Sequence, residues 1–248
     1  MTPTGQAILD QLASVHRLRQ GREQDAAHGF RVMALKSYQA RRFERTYADL
    51  LASARYRAAA RFFLEELYGP QEFGARDVQF TRIVPALVKL FPEEIVGTVA
   101  TLARLHALSE SLDDDMGRAL DATVVDAAAY VRAWQDTGRA NDRQSQIDLT
   151  LSVGAALERY VRNPVLRAAL RMMRRPAQSA GLGELQRFLE AGFDTFGAMR
   201  GAGEFLATVR DREQALCKAL FDPTAVTSVT KRSSGASTTS AGVLGQLP

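Results

Sequence analysis

PEEIVGTVATLARLHALSESLDDDMGRAL, residues 92–120, decides how this chain is read. Its apolar residues Ile95, Val99, Leu102, Leu105, Leu112, Met116 and Leu120 recur at helical spacing. Pro92 stands at the start, where a missing N–H is harmless. Glu93 and Glu94 suit the positive end of the helix dipole. The reading is a long α-helix with an unusual inward face. His106, Glu110 and Asp113 fall inside the apolar stripe, while Arg104, Ser111, Asp115 and Arg118 point away from it. Residues three and four apart are neighbours on a helix, so these three polar groups form one ladder. Carboxylates and an imidazole on a buried face must be paired, protonated or functional, since burying them alone costs several kcal/mol or more.

Working outward, helical periodicity continues in both directions and no segment alternates with a period of two. Helices are expected over about 4–26, 30–54 and 62–68, and from about 76 with a kink at Pro85. Beyond the central helix they are expected over about 123–136, 142–161, 164–173, 182–199 and 204–221. Asn163-Pro164 reads as an N-cap followed by proline at the first helical position. Gly181-Leu182-Gly183 and Gly201-Ala202-Gly203 read as turns between helices. The expected fold is all-α: a single compact bundle of about ten helices over residues 1–222. From 223 to 248 the composition turns to Ser, Thr and Gly and reads as a disordered tail.

Bulk properties narrow the function classes. The 248 residues are 46% hydrophobic and 24% charged, ordinary values for a globular protein. No apolar run approaches the ~20 residues of a membrane span. The first residues, Met1-Thr2-Pro3-Thr4-Gly5-Gln6, lack the basic and apolar blocks of a secretory signal. Cys217 is the one cysteine, which fits a reducing cytoplasm and rules out an internal disulfide. The formal charge of +4 invites a nucleic-acid reading through Arg167, Arg171, Arg174 and Arg175, which follow helical spacing. That stripe lacks interleaved aromatics for base stacking and sits in no helix-turn-helix or zinc-finger pattern, so nucleic acid is not the favoured partner.

Chemistry, if any, is sought in charges placed inward. On a regular helix Glu66 falls between Ala59 and Phe62, Asp77 shares the face of Phe80 and Val84, and Arg212 shares the stripe of Phe205, Val209 and Leu216. The candidate polar cluster is therefore Glu66, Asp77, His106, Glu110, Asp113 and Arg212. Three uses of it compete. A buried ion-pair network, with Arg57, Arg76, Arg82 and Arg212 as cation partners, is the favoured one. The second is a metal site on Glu66, His106 and Glu110, the alternative being a metal-dependent enzyme. It suffers from a shortage of histidine, and no Glu-x-x-His of the di-iron bundles is present. A small-molecule pocket with the same polar groups is the third. Gly-x-Gly-x-x-Gly, P-loop, Gly-x-Ser-x-Gly, Cys-x-x-Cys and His-Glu-x-x-His are all absent. No cofactor is assigned. The partner is expected to be a protein or a small molecule, not a membrane.

Arg61-Phe62-Phe63-Leu64-Glu65-Glu66-Leu67-Tyr68-Gly69-Pro70 with Arg76-Asp77, the segment Leu105–Asp113, and Ala180–Glu190 carry a resemblance. Together they resemble a family of uncharacterised bacterial all-helical proteins, a domain of unknown function with the motif Phe-Phe-Leu-x-x-Leu-Tyr-Gly-Pro. The resemblance spans about residues 40–221. It implies a single helical domain and brings no catalytic residues with it.

Overall fold

Thr2 accepts a hydrogen bond from the Gly5 amide, Pro3 follows at the first position, and α1 (Pro3–Gln24) begins there. A computed structural model describes residues 2–67, 74–233 and 242–248. All regular structure among them is helical. Asp25 ends α1 and caps α2 (Ala26–Thr46) by accepting from the His28 amide. Tyr47 leaves the helical region, so the second expected helix divides into α2 and the short α3 (Ala48–Ala52). Next come α4 (Arg57–Phe62) and a π-turn (Phe63–Leu67). The Tyr68-Gly69-Pro70 stop read from the sequence lies outside the described residues.

Pro85 lies inside α5 (Gly74–Leu90) without ending it. The long central helix is α6 (Glu93–Ala119), close to its expected bounds. Asp126 caps α7 (Ala127–Thr137), which ends on Gly138 in the left-handed region, and α8 (Ala140–Val161) follows. Asn163 caps α9 (Pro164–Met172) by accepting from the Val165 and Leu166 amides, as its spacing predicts. The remaining helices are α10 (Arg174–Ser179), α11 (Gly183–Ala198), α12 (Gly203–Leu220) and α13 (Ala225–Ser233).

Among the described residues three apolar clusters fill the bundle. One gathers Ile8, Leu12, Val84, Val96 and Ala103 where α1, α5 and α6 meet. A second is aromatic: Phe43, Tyr47, Tyr56, Phe62, Phe63, Phe196 and Phe205. Phe62 and Phe63, prominent in the sequence, are core anchors there. The third joins Leu35, Tyr38, Met116, Tyr130, Trp134, Leu216 and Leu220 to Ala225, Val229 and Leu247. The last three residues correct the reading of everything beyond Asp222 as tail. Ala225–Ser233 is helical and buries Ala225 and Val229, and Val243–Gln246 forms a 3-10 turn beside the buried Leu247. Apolar residues spaced four apart gave these pieces something to bury despite the Ser- and Thr-rich composition. Residues 234–241 of the expected tail lie outside the described residues.

Candidate functional site

The inward face of α1 begins as Ile8, Leu12 and Val15, all buried. The same helical spacing then delivers Arg19 and Arg22 to that face. Opposite them, α6 presents His106, Glu110, Asp113 and Asp114. From α2 come His28, Lys36 and Gln39, and from α5 comes Asp77. Gly117 makes this convergence sterically feasible: a Cβ there would stand 2.4 Å from Val32 Cγ2 and 3.2 Å from His28 Cε1. The missing side chain lets α2 lie close against α6, where Arg31 also donates to the Gly117 carbonyl at 3.0 Å.

The result is a continuous seam of charge. Asp77 Oδ2 accepts from Arg19 at 2.7 Å and from His106 Nε2 at 2.9 Å. Glu110 sits between two cations, with Arg22 on Oε2 and Lys36 on Oε1, each at 2.6 Å. Arg19 reaches the same carboxylate at 3.9 Å. Asp113 accepts from Gln39 at 3.0 Å, with the Lys36 ammonium 4.0 Å away. Asp114 accepts from His28 Nε2 at 2.9 Å and from Arg118, and Arg22 stands 3.9 Å from it. Charge-assisted bonds of this length are the strong class of hydrogen bond, and they are what makes burial of these groups affordable.

Electrostatics separates the two central carboxylates. Burial drives Glu110 upward, but Lys36 and Arg22 outweigh it and hold the carboxyl at about 2. Asp113 goes the other way. Burial raises it, the Glu110 charge adds to the rise, and Lys36 and Arg143 only partly offset both. For Asp77, burial is again the largest single influence and again loses, here to the His106 hydrogen bond and to Arg19 and Arg76, so its carboxyl is lowered.

The structure thus brings together Asp77, His106, Glu110 and Asp113 from the six candidates. Glu66 and Arg212 stand elsewhere. Glu66 was expected inside on the assumption of a regular helix, but Phe63–Leu67 is a π-turn. Its wider hydrogen-bonded ring makes successive side chains lag behind α-helical positions. The Glu66 side chain is 37% exposed and pairs with Arg76 at 3.2 Å, at the margin of the seam. Arg212 is 30% exposed and forks onto Asp49 at 2.7 and 2.8 Å. Its neighbour Glu213 takes the inner position instead, accepting from Arg42 at 2.5 Å and from the Tyr47 hydroxyl at 2.8 Å.

The cation partners also differ from expectation. Arg76 does pair with Glu66, but Arg57 and Arg82 bind backbone carbonyls, at Leu51 and Ala52 and at Ala180. The seam's own cations, Arg19, Arg22 and Lys36, are not among the residues singled out from the sequence. The signal for the two arginines is the 8, 12, 15, 19, 22 spacing of α1. His28 and Asp114 are not among the sequence candidates either, although both are almost fully buried.

What the seam can do chemically follows from its pairing. Among the described residues no three His, Cys, Asp or Glu groups are placed to share a metal ion. The positions nearest Glu110 are taken by guanidinium and ammonium groups, and Glu66 does not reach it. Two surface grooves of about 270 and 290 Å³ flank α6 and α8. Neither is lined by Asp77, His106, Glu110 or Asp113. The second holds Ser14, Arg104, Ser111, Arg139 and Ser145.

The arginine stripe lies on the surface at α9 and α10. Arg162 pairs with Glu158 and Arg174 with Glu190, while Arg167 lies over Gly197. None of the α9 residues is buried, and Val165 and Met172 are 72% and 76% exposed. Among the described residues no helix is long and apolar enough to cross a membrane.

Comparison with known families places this geometry. Residues 18–226 match a family described as a domain of unknown function (DUF8198), and the chain belongs to that family. The match takes in every seam residue from Arg19 to Asp114. No curated protein and no solved structure matches the chain.

Proposed function

We propose that this member of the DUF8198 family is an interaction module, in which the charge seam holds the bundle in one packing and α9 is the face offered to a partner. The exposure of α9 carries the reading. Its nine residues segregate apolar from basic groups, yet none is buried and none joins an apolar cluster. Val165, Ala169 and Met172, at i, i+4 and i+7, form one exposed ridge, the anchor spacing of helix-in-groove recognition. Methionine adapts to varied partner shapes, which suits such a ridge. Arg171 is exposed on the same helix, so the matching partner is an amphipathic segment with acidic residues along one edge.

The seam supports the same reading by what it leaves unused. A general acid or base must exchange its proton with a substrate. Here Glu110 is locked between Arg22 and Lys36, and Asp77 between Arg19 and His106. The lone Cys217 keeps a reducing cytoplasm as the expected compartment.

The test uses the full chain with Arg171→Glu and Met172→Asp together, compared with wild type by quantitative cross-linking in the native cell. Both sites are exposed, so thermal stability should stay within about 0.5 kcal/mol. The expected outcome is loss of a defined acidic partner from the variant. An unchanged set of cross-linked proteins would overturn the proposal.

A further inference from the structure

Away from the charge seam, α6 turns Arg104 and Ser111, two helical turns apart, to its outer face. Both α1 and α8 pack along α6, and the groove of about 290 Å³ runs between the three helices. Ala107 and Leu108 are its apolar part, and every other lining residue is polar. Arg139, at the turn before α8, is fixed by three bonds. Its Nε donates to Asp142 at 2.7 Å, and its Nη1 donates to Ser111 Oγ at 2.7 Å and to Asp115 at 2.5 Å. Ser111 accepts in that bond, which leaves its own O–H proton for another acceptor. Among the described residues Arg139 Nη2 has no partner, and neither do the side chains of Gln11, Ser14, Arg104 and Ser145.

Unspent donors thus converge from all three helices on one groove. Elsewhere on the surface arginines answer a neighbouring carboxylate, as Arg162 does with Glu158 and Arg174 with Glu190, whereas Arg104 does not. The lining holds two guanidinium groups against one carboxylate, Asp142, and so carries one surplus positive charge. We propose that this groove binds a small hydroxy acid, with Arg104 on its carboxylate and Ser14, Ser111, Ser145 and Gln11 on its hydroxyls. Arginine is suited to a carboxylate by its planar fork of donors. A singly charged carboxylate matches the surplus charge, and a phosphate monoester, at about −1.5 to −2 near neutral pH, overshoots it. The volume lies at the lower edge of the ~300–1,000 Å³ of small-molecule sites, which fits a compound of a few carbons and not a nucleotide. The site uses residues other than those of α9 and stands independently of the function proposed there.

The test titrates the full chain with glycerate, glycerol, acetate and glycerol 3-phosphate by isothermal calorimetry at matched ionic strength. Glycerate should bind saturably, and at least about tenfold more tightly than acetate or glycerol, which each carry only part of the recognised chemistry. Arg104 is exposed, so Arg104→Ala should melt as wild type does. It should weaken glycerate binding about tenfold or more, the share of one charge-assisted bond. Ser145→Ala should weaken it about threefold. Amide shifts of the ¹⁵N-labelled chain on adding glycerate should gather at Ser14, Ala107, Ser111 and Ser145. No saturable binding of glycerate, or equal binding by wild type and Arg104→Ala, overturns the proposal. Shifts gathered at Arg171 and Arg174 overturn it too, since the anion is then drawn only to the surface stripe. Glycerol 3-phosphate binding more tightly than glycerate would make the groove a phosphate site and overturn the ligand assignment.

Discussion

The contact between α1 and α6 is built from opposite chemistry at its two ends. Toward their N-termini the helices meet through Ile8, Leu12, Val96 and Ala103, with Val84 of α5 closing the cluster. Toward their C-termini the same faces meet through Arg19, Arg22, Glu110 and Asp114, with Asp77 and Lys36 from neighbouring helices. The apolar end stabilises in rough proportion to area, ~25 cal/mol per Å² buried, and is indifferent to small slips. The charged end is exacting, because each carboxylate needs its own cation and an orphaned buried charge costs about 3–5 kcal/mol. One helical stripe thereby divides its labour: one segment supplies stability and the other selects the pairing. That the charges select register is a hypothesis, and the variants below are ways to break it.

The largest effect is expected from Glu110→Gln, which leaves both Arg22 and Lys36 without their anion. It should cost about 3–5 kcal/mol, or a fall in thermal midpoint of about 10 °C for a chain of this size. That matches the ~2–5 kcal/mol expected at the apolar end from Leu12→Ala. Replacing the trio by Arg22→Met, Lys36→Met and Glu110→Leu should recover most of the loss, as apolar substitutes for buried ion networks do. If the triple variant melts as low as Glu110→Gln, the charges do more than select a packing. Gly117→Ala comes next. A methyl group would press on Val32 and His28 and part α2 from α6, at about 1–3 kcal/mol by chemical denaturation.

The two central carboxylates should respond to pH with opposite signs. Glu110 is depressed from 4.5 to about 2, so its stabilisation is present above pH 4.5 and lost as pH falls toward 2. The span corresponds to about 3 kcal/mol. Asp113 is raised from 3.8, so its contribution is lost as pH rises above that value, and its charge is a cost at neutrality. Asp113→Asn keeps an acceptor for Gln39 and removes the cost. It should therefore be neutral in acid and up to about 1 kcal/mol more stable than wild type at pH 7, measured by urea melts across the range. An Asn variant less stable than wild type at pH 7 would reverse the assignment.

The smallest effects belong to the seam's margin. Arg118 is 63% exposed, so its pairing with Asp114 is screened, and Arg118→Ala should cost under about 0.5 kcal/mol. Glu66→Ala should cost about 1 kcal/mol or less, since Arg76 also stacks on Phe188 and keeps the Glu66 carbonyl. A loss of 3 kcal/mol at Glu66 would place it inside the seam after all.

What was legible in the sequence follows from which signals are periodic. The α6 stripe, the caps at Asn163 and Pro92, and the turns at Gly181 and Gly201, both with positive φ, could be read directly. So could the inward placement of Asp77, His106, Glu110 and Asp113, because a polar residue on an apolar stripe is conspicuous. Arg19 and Arg22 were less so. They lie past the last apolar residue of their stripe, and an arginine at a helix end reads as solvated. Glu66 and Arg212 were misplaced for local reasons, a π-turn in one case and a one-residue difference in facing between Arg212 and Glu213 in the other. Which helices are neighbours was not legible at all, since hydrophobic period gives a face and not its partner.

The central claim is that Glu110 is held ionised inside the seam between Arg22 and Lys36. It is tested most directly by carboxyl-detected NMR titration of ¹³C-labelled Glu110 and Asp113 in the folded chain. The account predicts Glu110 titrating at about 2, with Asp113 above its ordinary 3.8. A Glu110 value at or above its ordinary 4.5 would contradict it, and would return that carboxylate to the list of groups free to do chemistry.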